Sequence, residues 1–161
     1  MPLTKGHVLV VTRDHYEKLG DLNVETGREV GQWLPILSRV VMRTIFGDVA
    51  DSDAHWNVVQ NNGIKFYATF VHMHVAAQQV PHLHFHIIPR PPLEAGSSGT
   101  RPSFTMFGRG QRDELDDDEG EILANALREQ LAREVKRVND EEGLDLEDSA
   151  LSVRRGALGK L

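Results

Sequence analysis

The stretch Pro81-His82-Leu83-His84-Phe85-His86-Ile87-Ile88-Pro89-Arg90 decides how this chain is read. Side chains on a strand alternate between faces. A strand over residues 80–89 therefore sends His82, His84 and His86 to one side, about 7 Å apart. Leu83, Phe85 and Ile87 point to the other side, where they can fill a core. Three imidazoles in a row are costly to bury and rarely needed for packing, so the row asks for a chemical explanation. A neutral ring can offer one nitrogen as a nucleophile while an acceptor holds the N–H of the other. Neighbouring imidazoles disfavour a second positive charge nearby, and an N–H-donating neighbour can stabilise charge on a phosphoryl oxygen. Covalent nucleotidyl transfer uses both roles. An exposed histidine-rich edge strand, or adventitious metal binding, is the plain alternative.

Working outward, His7-Val8-Leu9-Val10-Val11-Thr12 is a β-branched run that predicts a buried strand. From residue 25 to about 46, Val30, Trp33, Leu34, Leu37, Val40, Val41 and Ile45 recur at helical spacing, with Gly47 as a stop signal. Pro35 is expected to kink or divide that helix. Residues 56–60 predict another strand and 61–63 a turn. Residues 64–75 are apolar and fit strand or loop. The Gly-, Ser- and Pro-rich stretch 91–112 predicts a loop. A second helix is expected over 113–140, with Ile122, Leu123, Ala126, Leu127, Leu131, Val135 and Val138 on one stripe. Acidic residues crowd its opening turn, at the positive end of the helix dipole. Residues 141–161 are polar and read as a frayed tail. The order β, α, β, β, α predicts an α+β domain with an antiparallel sheet.

With 161 residues, 40% of them apolar, the chain suits one domain with a modest core. A formal charge of −6 argues against a general nucleic-acid binder, though a local site on an acidic protein can still take a phosphorylated ligand. The absence of cysteine removes disulfides and thiolate zinc sites and fits a reducing compartment. No apolar run is long enough for a membrane span, and the first residues lack the apolar stretch of a signal peptide. The expected location is the cytoplasm, with the nucleus as the alternative.

The heptapeptide His82–Ile88 matches the H-φ-H-φ-H-φ-φ signature of the histidine triad (HIT) superfamily, φ being apolar. Residues 3–11, with Gly6-His7-Val8-Leu9-Val10, resemble the family's G-H-φ-L-V strand. Arg13-Asp14-His15 sits where the family often has two basic residues and a histidine. Residues 57–63 and Ala76-Ala77-Gln78 also match, and the C-terminal stretch resembles extensions of fungal members. The resemblance, spread over residues 3–90, implies a HIT-like antiparallel sheet with a long helix packed on it and a C-terminal helix. It implies that His84 attacks a nucleotide α-phosphorus to form a nucleotidyl-histidine intermediate. His86 would bond the α-phosphate oxygens, His82 would orient the site, and His7 would pack behind the triad and complete its hydrogen bonds. Asn61 would contact phosphate and ribose, and Gln78 would line the phosphate site. His15 and His55 read as structural or surface residues. No cofactor and no metal are implied. The expected partners are a purine nucleotide and a second copy of the chain, joined through the long helix and a sheet edge, with Trp33 and Leu37 as candidates.

Two departures from the family stand out. The HIT domain, residues 1–90, is expected to be incomplete at its N-terminus, because the family's domain begins upstream with a helix and a strand pair that hold base and ribose. Asn61 to His82 spans 21 residues, about twice the family's spacing. The surplus around residues 64–75 is an active-site flap or an accident of splicing, and its aromatic, β-branched character favours the second. The leading expectation is a Hint-like nucleoside phosphoramidase that releases AMP from a P–N substrate. A Fhit-like dinucleoside polyphosphate hydrolase, a non-catalytic nucleotide-binding remnant and a His-cluster metal binder are the rivals.

Overall fold

The computed structural model describes residues 3–47, 54–63, 80–90 and 116–146. The expected insertion, Gln78, the 91–112 loop and most of the C-terminal tail lie outside the described residues. The described elements are β1 (Val8–Val11), a 3-10 turn at Leu19–Asp21, α1 (Val24–Phe46), β2 (His55–Gln60), β3 (His84–Arg90) and α2 (Asp117–Glu142). This is the α+β arrangement expected, with an antiparallel sheet in the order β1-β3-β2.

The triad strand is therefore central. β1 pairs with it from Val8↔Ile87 to Val11↔His84, and β2 from His55↔Arg90 to Gln60↔Phe85. Alternation then sorts the faces. Val8, Val10 and Ile87 turn toward α1 and pack with Leu37, Val41, Met42 and Ile45. Leu9, Val11, His84 and His86 share the opposite face, where Leu9 and Val11 are half exposed.

α1 is one helix from end to end, and Pro35 does not divide it. Pro35 and Gly31, whose carbonyl loses its partner at position 35, both lie on the exposed side, where water can take over the missing bond. Asn23 caps the start by accepting Thr26 N–H at 2.8 Å. Gly47, at φ 72°, closes the end.

α2 begins later than the sequence suggests. Asp116 is its N-cap, accepting from the amides of Asp118 and Glu119. The apolar stripe is also shorter than expected. Ile122 is 70% exposed and Ala126 is exposed, whereas Leu131, Val135 and Val138 pack with Trp33 and Ile36 of α1. The expected fraying from residue 141 is corrected too. The helix continues to Glu142, Gly143 turns the chain at φ 66°, and Leu146 is buried in the inter-helix cluster. Periodicity alone cannot say where the neighbouring helix stops covering the stripe.

Gly6 joins this core to the site. It is buried at φ 80°, and a Cβ there would stand 2.5 Å from the Ile45 side chain. Both the backbone conformation and the space demand glycine. Gly6→Ala is expected to lower stability by about 2–4 kcal/mol through strain plus overpacking. Chemical denaturation checks this; a loss under about 0.5 kcal/mol would contradict the close approach seen here.

Candidate active site

The sheet places the histidines differently from a simple row. His84 and His86 stand on β3 as expected, but the strand starts at His84, and His82 lies in the bend before it. Pro81 and the tight His82 N–H to Val80 carbonyl bond of 2.8 Å keep that residue out of the ladder. The His82 ring turns instead to the end of β1. Its Nε2 lies 2.8 Å from the Thr12 carbonyl and 3.3 Å from the Thr12 hydroxyl. The His15 ring meets it edge-on, centroids 5.2 Å apart.

The hydrogen-bond partners assign the protons. A carbonyl has none to give. The 2.7 Å contact between His84 Nδ1 and the His82 carbonyl therefore requires Nδ1–H on His84. In the neutral ring the lone pair is then on Nε2. The same logic runs along a second line. Leu3 N–H donates to His7 Nδ1 at 3.0 Å, so neutral His7 carries its proton on Nε2. That nitrogen lies 2.9 Å from His86 Nδ1 and donates to it. His86 then holds its own proton on Nε2. His84 and His86 are left as complementary neighbours, one presenting a lone pair at Nε2 and the other an Nε2–H, with ring centroids 5.0 Å apart. His7 stands beside His86 at 5.1 Å. Both lines end on backbone groups, which have no alternative tautomer.

Asn61 follows the last residue of β2, and the ladder register carried one step further places it across from His84. The structure thus places His82, His84 and Asn61 at one end of the sheet, with His86 two residues along β3 and His7 reaching it by its ring from the start of β1. His55 opens β2 at the far end of the ladder, across from Arg90. Trp33 and Leu37, expected at a subunit interface, pack in part within their own chain. Among the described residues no group of His, Asp or Glu is arranged to hold a metal ion. A cleft of about 420 Å³ lies on the helix side of the sheet, lined by Val10, Val30, Trp33, Leu37 and Phe85 with Arg13 and Glu29 among its polar residues. It is not the space in front of His84 and His86.

Sequence reasoning missed the loop that supports this site, residues 12–16, and its anchor at Asn23. An asparagine one residue before a helical run is an N-cap signal. The further bonds of these residues are not written in the sequence.

The HIT-domain model matches residues 1–93, more than half of the chain. The chain belongs to the HIT family. Among relatives of this HIT protein, the adenosine 5'-monophosphoramidase of Schizosaccharomyces pombe is 34% identical over 105 residues, 65% of this chain and 64% of that one. A HIT-like protein of Methanocaldococcus jannaschii is 33% identical over 55% of this chain and 56% of its own. The chain thus spans less than two thirds of the length of either. A histidine triad nucleotide-binding protein of Sulfolobus tokodaii superposes with a TM-score of 0.61 at 21% identity, covering 87% of this chain and 78% of that one. A HIT-like protein of Bartonella henselae gives 0.54 at 25% identity, with 81% and 74% covered. These superpositions support the fold.

Proposed function

We propose that this HIT protein is a nucleotide hydrolase that works through His84 and releases a nucleoside monophosphate, with a phosphoramidate such as adenosine 5'-monophosphoramidate as its substrate class. The observation that carries the reading is the proton assignment at His84. The His82 carbonyl holds Nδ1–H and leaves Nε2 as the attacking atom. In the first step the Nε2 lone pair forms a bond to the α-phosphorus. The P–N bond to the leaving group breaks, and the amine departs with the electron pair and a proton from water. The positive charge on His84 is shared with the His82 carbonyl through the Nδ1–H bond. The His86 Nε2–H, set by His7, donates to a phosphoryl oxygen as charge builds there. In the second step water attacks phosphorus, the P–Nε2 bond breaks, and neutral His84 returns with AMP released.

Leu9 and Val11 fit this role. They lie across from His86 and His84 on the same face, and their exposed apolar surface suits a nucleobase better than water. The similarity to the yeast phosphoramidase favours a P–N leaving group. The test compares AMP release from adenosine 5'-monophosphoramidate and from diadenosine polyphosphates. Alkaline quenching preserves a phosphohistidine linkage for mass measurement. AMP from the phosphoramidate with a nucleotidyl adduct on the 80–90 peptide is the expected result. Turnover of dinucleotides alone moves the reading to the Fhit-like alternative, and binding without either turnover makes the chain a nucleotide-binding remnant.

A further inference from the structure

The peptide group between His82 and Leu83 is bonded at both ends. Its carbonyl accepts Nδ1–H of His84 at 2.7 Å. Its amide N–H donates to the Tyr16 carbonyl at 2.6 Å. A peptide unit is planar, so turning this one breaks both bonds together. The Leu83 donation also polarises the unit and makes the His82 carbonyl a better acceptor. The direction of that carbonyl decides which nitrogen of His84 keeps the proton, and the Tyr16 carbonyl sets the direction.

Tyr16 is itself fastened. Its hydroxyl accepts from Asn23 Nδ2 at 2.9 Å and meets the Thr26 hydroxyl at 3.3 Å. Asn23 is at the same time the N-cap of α1, its Oδ1 accepting Thr26 N–H. The phenol thus ties a surface loop to the first turn of a 23-residue helix. The same loop holds His82 from its other side through Thr12 and His15. Three residues of one loop, Thr12, His15 and Tyr16, therefore hold two consecutive residues, 82 and 83.

We infer that Tyr16 is a positioning residue for the nucleophile: its phenol locks the 12–16 loop to α1, and its carbonyl orients the 82–83 peptide that keeps the proton on His84 Nδ1. The consequence for turnover rests on the hydrolase reading above. The consequence for the tautomer does not, and this separates the two in experiment.

Tyr16→Phe keeps the ring and removes the hydroxyl. Asn23→Ser keeps a capping oxygen for α1 but removes the amide that donates to Tyr16. Nitrogen-15 histidine spectra report the His84 tautomer, steady-state kinetics report kcat and KM, and thermal melting reports the fold. In the parent, His84 is expected as the Nδ1–H form. In each variant an Nε2–H population appears, and kcat falls about fivefold to tenfold, as loss of one anchoring hydrogen bond predicts. KM stays within about twofold, because the hydroxyl removed or released is engaged with Asn23 and Thr26 at the start of α1. A folded variant with the parent's tautomer and kcat, or one that only melts earlier, overturns the inference. If Tyr16→Phe does not fold, Asn23→Ser decides alone by the same criteria. A parent without turnover whose tautomer still shifts in the variants refutes the hydrolase reading and leaves the positioning role standing.

Discussion

Replacing His84 with alanine is expected to abolish AMP release, lowering kcat by roughly 10⁴-fold or more as loss of a nucleophile does, while the protein stays folded. The ring stands on the face of β3 away from α1, so its removal opens no core cavity. Phe85 and Ile87, its neighbours on the strand, keep the packing. One structural cost remains, because the His82 carbonyl loses the Nδ1–H bond. His84→Asn separates that cost from the chemistry. The asparagine amide can occupy the place of Nδ1 and donate to the same carbonyl, but it offers nothing at the place of Nε2. Asparagine should melt like the parent and be as inactive as alanine. A rate within about tenfold of the parent in either variant removes His84 from the nucleophile's role. Loss of activity in alanine with retention in asparagine makes the histidine a support for the bend instead.

Much of this site was legible in the sequence because strand alternation is a strict geometric rule. Phe85 and Ile87 are core and His84 and His86 are not, as a period of two requires. The rule fails at His82, where it was extended across Pro81 into a segment that has already left the ladder. His82 still meets His84, but through its backbone: its carbonyl, rather than its place in a row, makes the contact with the His84 ring. The bond from His7 to His86 joins residues 79 apart, and it was the family resemblance, not any local pattern, that pointed to it. The loop at 12–16 shows the same limit. Its decisive group is a backbone carbonyl, which every residue type possesses.

The second helix fails the sequence in another way, and yields the other large prediction. Leu127, Leu131, Glu134 and Val138 share one stripe by spacing, yet Glu134 was passed over as polar. It is fully buried. Arg39 and Arg43 of α1 reach it from one turn apart, and Arg137 reaches it from its own helix. Arg137 is shared with Glu141 and Glu142. Arginine is suited to this, because its planar fork can satisfy both carboxylate oxygens. Burial works against the charge on Glu134, but hydrogen bonds from Arg137 and Arg39 and their charges outweigh it and hold its carboxyl below the ordinary value of 4.5. A carboxyl whose folded value is depressed gives stability above its unfolded value and loses it as pH falls through the folded one. The docking of α2 should therefore weaken on acidification below about pH 4.5.

Glu134→Ala should cost about 2–4 kcal/mol at pH 7, toward the lower end for a buried pair, because Arg39 and Arg43 are partly exposed and can rehydrate. Urea denaturation measures the loss, and amide exchange should localise it to α2. The acid dependence supplies an independent check: the parent loses stability below pH 4.5 more steeply than the variant, since the variant has no proton to take up there. Added salt should change the difference little, as buried pairs are poorly screened. A cost below about 1 kcal/mol with an unchanged acid slope would mean that Leu131, Val135, Val138 and Leu146 dock the helix without the ionic cluster. A full cost makes one buried carboxylate the point at which α1, which packs behind the triad strand and anchors Tyr16, is joined to the C-terminal helix.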